Sequence, residues 1–128
     1  MSSELSILAI YGLLVVVILL VQVLLALPQV GLAYLASPRD KDAHLTGTAA
    51  RALRSLNNSV TAMALFAPAI LILQAQSTMT STTLLMAQIF LIARLAYWLL
   101  YLAGVPWLRT AAWLCGFLAT AYLYILAL

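Results

Sequence analysis

From residue 5 to residue 38 the chain carries no charged side chain. Residues 5–27 are apolar, with Gln22 as the one strongly polar interruption. A helix of about 20 such residues crosses a hydrocarbon core about 30 Å thick. A soluble chain of 128 residues has no means of covering this segment, because the rest of it is nearly as apolar: hydrophobic residues make up 66% and charged residues 7%. Soluble domains run at about 45–50% and about 25%. In a bilayer the apolar surface is the solvated one, and each helix satisfies its own backbone. The sequence therefore predicts an all-α integral membrane protein, a single domain over residues 1–128, with the lipid bilayer as its first partner.

Four helices are expected, at about 5–37, 49–76, 82–103 and 107–127. Pro28 permits a kink in the first. Pro38 and the charged run Arg39-Asp40-Lys41-Asp42 end it. Thr46 or Thr48 is placed to cap the second helix, and Pro68 should bend it, which membrane helices tolerate. The uncharged stretch at 76–81 makes the next turn, and Gly104-Val105-Pro106 separates the last two helices. The N-terminus reads as a retained helix: Glu4 stands where a signal peptide has basic residues, the apolar run exceeds 7–15 residues, and no A-x-A site follows.

Basic residues fix the expected orientation. Arg39, Lys41, Arg51, Arg54 and Arg109 all fall at the first or third connection, and the second connection and both ends have none. Both termini should therefore lie on the non-cytoplasmic side of a four-helix bundle, with the charged loops cytoplasmic. The minimal loops suit a bacterial inner membrane.

The remaining chemistry is narrow. A net charge of +3 from six basic residues forms no basic patch, so nucleic acid is not an expected partner. The single Cys115 excludes an internal disulfide and reads as a buried, inert thiol. His44 has no companion ligand, so no metal site is expected, and there is no phosphate-binding glycine loop or Ser-His-Asp set.

What stands out is a cluster of arginines and tyrosines. Arg51, Arg54, Asn58 and Thr61 follow i, i+3, i+7, i+10 on the second helix, and Arg94, Tyr97 and Tyr101 follow i, i+3, i+7 on the third, so each set shares a face. At 1.5 Å per residue, Asn58 and Arg94 each lie about 13 Å in from the same end of the bundle. An arginine at such depth costs at least about 2.5–3.5 kcal/mol and should face protein or a water-filled cavity. Glu4 is at the opposite end and Asp40 and Asp42 are in a loop, so an anionic ligand would supply the missing counter-charge. A plainer reading stands beside this one. Arg51, Arg54 and Arg109 are also suited to lipid headgroups, and Arg94 to carbonyls or to Asn58 or Gln88. Tyr97 and Tyr101 fit an interface belt, and Trp98, Trp107 and Trp113 fit anchoring and packing. Ala112, Gly116 and Thr120 form a small-xxx-small row that favours close helix packing.

The sequence resembles the MAPEG family, membrane-associated proteins in eicosanoid and glutathione metabolism, over nearly its whole length. The resemblance rests on RALRSLNN (51–58) leading to LFAPAILI (65–72), and on ARLAYWLLYLAGVPWLR (93–109) before a final helix. It implies a four-helix homotrimer that binds glutathione near the cytoplasmic face and acts as a transferase or peroxidase on hydrophobic small molecules. It further implies that Arg54, Asn58, Arg94, Tyr97 and Tyr101 form the cofactor site, to which the shared helix face adds Arg51 and Thr61, and that Arg109 is catalytic, stabilising the thiolate. The family usually has a glutamate where this chain has Thr61, and alanine is common at Ser55. Losing the carboxylate leaves the site more positive. The alternative is a non-catalytic binding or structural membrane protein of the same fold. A proton-coupled cation exporter would need an acidic residue inside a span, and the expected spans have none.

Overall fold

The computed structural model describes residues 3–38 and 44–128. The charged run at 39–42, expected to end the first helix, lies outside the described residues. The elements are α1 (Glu4–Val30), α2 (Leu32–Ala36), α3 (Gly47–Ala75), α4 (Ser81–Ala103) and α5 (Pro106–Ala127). Four of them, α1, α3, α4 and α5, are long and apolar enough to cross a membrane. The protein is thus an all-α, multi-pass membrane protein, with no strand among the described residues.

Local chemistry sets the boundaries. Ser3 caps α1, its hydroxyl accepting from the Ser6 N–H at 3.2 Å. The first helix runs through Pro28 and breaks instead at Gly31, whose φ of 82° and ψ of 158° belong to a region that L side chains avoid. The remainder of the expected first helix is the separate α2. Thr46 is the N-cap residue of α3 but makes no side-chain cap bond. The Gln29 amide takes that place, donating to the Thr46 carbonyl at 3.0 Å and accepting from its N–H at 2.9 Å. Thr80 and Thr83 form a reciprocal capping box on α4. Gly104 closes α4, and Pro106 opens α5 at the position where a missing N–H costs nothing.

Helix α4 packs chiefly on α5 and α1 on α3, while α1 and α5 do not meet. The bundle is therefore a rhombus, with α3 and α4 in contact across its short diagonal and α1 and α5 at the far corners. Thr83 of α4 hydrogen-bonds the buried Glu4 carboxylate, and Gln76 at the end of α3 donates to the Ala127 carbonyl at 3.0 Å. These contacts put the start of α1 and the end of α5 beside the α3–α4 turn. Arg51, Arg54 and Arg109 lie toward the other end.

The core centres on α1, α3 and α4. Phe66 and Phe90 stack at 3.8 Å, with the fully buried Tyr11 ring edge-on to Phe90 at 4.8 Å. Three packed aromatics give this layer a fixed geometry that aliphatic packing alone would not. Most outward side chains are large and apolar, such as Leu13, Val16 and Leu20 on α1, as a lipid-facing surface requires.

Candidate functional site: an arginine-floored cleft

Because α5 touches α3 and α4 but not α1, a cleft opens between α3 and α5, with α4 as its floor. Asn58, Thr61 and Leu65 line one wall, Trp113, Gly116 and Phe117 the other, and Phe90 and Arg94 the floor. Its inner part has a volume of about 170 Å³. At Asn58 and Trp113 it meets an outer part of about 340 Å³, lined also by Tyr97, Tyr101 and Arg109.

Arg94 is only 2% exposed. One guanidinium nitrogen donates to the Ser59 hydroxyl at 3.3 Å, and its carbon lies 4.3 Å from the centre of the Tyr97 ring. Its Nε has no hydrogen-bond partner. Glu4, the one acidic side chain among the described residues, is at the far end of the bundle against Thr83. A desolvated cation with a ring face and a hydroxyl is partly compensated, but a buried charge lacking a paired anion carries a penalty of several kcal/mol. Asn58 Oδ1, on the opposite wall, is also buried without a partner. An acceptor-deficient cation and a donor-deficient amide therefore border the same space.

The path from the floor to the mouth is a ladder of rings and guanidinium groups. Tyr97 meets Tyr101 edge-on at 5.5 Å. The Arg109 guanidinium lies over the other tyrosine's ring, 4.4 Å from the Tyr101 centroid. The Arg54 Nε donates to the Tyr101 hydroxyl at 3.2 Å. The arginines from three helices are thus fixed in direction by aromatic side chains rather than by carboxylates. Their charge stays available to an incoming anion.

Of the residues singled out from sequence, Asn58, Thr61 and Arg94 line the inner cleft, and Asn58, Tyr97, Tyr101 and Arg109 the outer part. Arg54 stands at the edge through Tyr101. Arg51 is elsewhere. It donates to the Leu102 carbonyl at 3.2 Å and to the Thr48 hydroxyl at 3.0 Å, completing the C-terminus of α4, where a cation is favoured by the exposed carbonyls. Arg94 bonds neither Asn58 nor Gln88; its partner is Ser59.

Several residues that border or support the cleft carry little signal in the sequence. Ser59 follows Asn58 immediately, yet its polar groups tie α3 to both neighbours: its hydroxyl meets Arg94, and its carbonyl accepts from the Tyr11 hydroxyl at 2.8 Å. Tyr11 was the lone phenol in an apolar run, and that isolation was its only signal. Trp113, expected as an anchor, lines both parts of the cleft. Gly116, expected as a helix-packing position, faces Arg94. A Cβ there would stand 3.3 Å from Arg94 Cδ, so the bare backbone makes room for the guanidinium stem. Cys115, expected to be buried, is exposed on the outer face of α5.

Comparison with known proteins gives one match. A sequence model described as the MAPEG family covers residues 5–128. No curated protein and no solved structure matches the chain.

Proposed function

The chain belongs to the MAPEG family, and on that footing we propose that its cleft binds glutathione and serves transfer or peroxidase chemistry on hydrophobic electrophiles taken from the membrane. The observation that carries this reading is Arg94, a buried cation bordering a cleft with no carboxylate opposite it.

The donor set suits the ligand. Glutathione has two carboxylates, and guanidinium groups are their bidentate partners. Arg94 and Arg54 bind them, and the unpartnered Asn58 Oδ1 accepts from an amide or ammonium N–H. Tyr97 and Tyr101 hold the arginines in place. Arg109, over the Tyr101 ring at the cleft mouth, is assigned to the sulfur, where a guanidinium favours thiolate over thiol. When bound, glutathione supplies that sulfur as the nucleophile or reductant. Trp113 and Phe117 offer the electrophile an apolar wall.

The functional unit is read as a homotrimer in a bacterial inner membrane, with the basic end of the bundle cytoplasmic. Native mass spectrometry from detergent should give three chains. A thiol probe that cannot cross the membrane should label Ser77→Cys, in a Cys115→Ala background, from outside the cell.

A second reading, a non-catalytic binding protein of the same fold, has one observation in its favour. The Thr61 hydroxyl donates back to the Asn57 carbonyl at 3.0 Å, so the cleft offers no acidic group to a ligand's ammonium. Calorimetric titration of glutathione into protein in nanodiscs decides between them. Saturable binding that is lost in Arg94→Met, with turnover of chlorodinitrobenzene, supports the enzyme. No saturable binding and no turnover leaves the second reading.

A further inference from the structure

A second cavity lies away from the arginine cleft, lined by the end of α1, by α2 and by the start of α3. Its volume is about 280 Å³. Leu19, Val23 and Ala26 of α1, Leu35 of α2, and Leu53 and Leu56 of α3 make its walls apolar. Gln22 and the Tyr34 phenol are the polar side chains in its lining. Gln22 is only 8% exposed, and its amide makes no hydrogen bond to another described residue.

This arrangement is built rather than incidental. The Gly31 backbone interrupts the helix and sets α2 off from α1. The two Gln29–Thr46 hydrogen bonds pin the start of α3 to the end of α1. Gln22 therefore sits in a largely apolar cavity about 12 Å in from the end of α1. The Gln22 amide borders the cavity with hydrogen-bonding capacity that leucine in its place would lack.

We propose that this cavity is a binding site for a medium-chain acyl compound whose head group is a carboxamide or a neutral carboxylic acid. The reasoning is stereochemical. A glutamine amide both donates and accepts. A ligand head with a carbonyl beside an O–H or N–H answers both functions at once. An ester carbonyl only accepts, and leaves the glutamine oxygen unpaired. The chain length follows from volume. An apolar cavity of about 150 Å³ takes benzene, so this one takes about twelve heavy atoms, the size of a ten-carbon acid or amide. The site is independent of the arginine cleft and does not require glutathione.

Radiolabelled decanamide, decanoic acid and methyl decanoate, equilibrated with the full chain in phosphatidylcholine nanodiscs and with empty nanodiscs, test this. Decanamide or decanoic acid should bind saturably, one per chain, above its partition into empty discs; which of the two binds names the head group. Methyl decanoate should bind at least about tenfold more weakly, the effect of one unpaired buried group. Gln22→Leu should weaken the tight ligand by a similar factor. Should that variant not fold, a diazirine-bearing decanamide on the unaltered protein should label Val23, Ala26, Leu53 or Leu56. The proposal is overturned if neither compound exceeds the empty discs, if the ester binds as tightly, if folded Gln22→Leu binds equally, or if labels fall on the outward Leu20 and Leu24.

Discussion

Gly116 and Arg94 meet across the α4–α5 contact so closely that a single methyl at position 116 would stand 3.3 Å from Arg94 Cδ. The guanidinium reaches the cleft because α5 presents backbone, not side chain, at that level. Gly116→Ala should therefore separate stability from binding. Alanine is favoured over glycine inside a helix by about 0.5–1 kcal/mol, which offsets the tight contact. Thermal unfolding should stay within a few degrees of the parent, while glutathione affinity falls about tenfold as Arg94 is displaced. Calorimetry and a thermal melt on the same sample check both.

Arg94 itself should be a ligand-binding residue that the fold does without. Replacing a buried, unpaired charge with an apolar side chain of similar length is often neutral or stabilising. Arg94→Met should retain or raise the melting temperature and abolish glutathione binding, with affinity at least about a hundredfold lower, in the range of a lost charge-assisted pair. Arg94→Lys should recover little, because an ammonium lacks the bidentate fork. A strong loss of stability in Arg94→Met would show instead that the guanidinium is structural.

The Tyr11–Ser59 contact joins α1 to the site helix. Its 2.8 Å hydrogen bond is buried, and removing the hydroxyl leaves the Ser59 carbonyl with one partner fewer. Tyr11→Phe should lower unfolding stability by about 1 kcal/mol. Ser59→Ala, which takes away the Arg94 partner, should weaken glutathione binding by up to about tenfold with a smaller effect on stability. Chemical unfolding in mixed micelles and ligand titration distinguish the two.

Thr61 tests the electrostatics of the cleft. It is exposed and lines the inner part, so a longer acidic side chain fits there without repacking. Thr61→Glu should tighten glutathione binding by about tenfold, the order of one charge-assisted hydrogen bond. It should not tighten binding of an analogue lacking the amino group. Equal gains for both would argue that the carboxylate acts on the protein and not on the ligand.

The spans and the arginine cluster were legible because both depend on local rules. Twenty apolar residues read as a span whatever their neighbours, and i, i+3, i+7 spacing places Arg94, Tyr97 and Tyr101 on one face of α4. What depends on relations between helices was hidden. Arg51 has the same periodic relation to Asn58 as a site residue, but it sits one turn too early and meets the end of α4 instead. Ser59 and Tyr11 are 48 positions apart in sequence, and no pattern within either helix links them. Hydropathy is continuous through Gly31 and so predicts one unbroken first helix. The break comes from a backbone angle that hydropathy does not encode.

The outer edge of the cleft is made of Leu65, Trp113 and Phe117, each facing outward along the flank of the bundle. A solute dissolved among lipid tails meets these three side chains before any arginine, so it has no aqueous barrier to cross. On the proposed function, selection among reactive compounds begins outside the protein, with how strongly each dissolves in oil. Turnover measured at fixed total concentration should climb with the octanol–water partition ratio of the acceptor, until the reacting carbon's own chemistry becomes limiting.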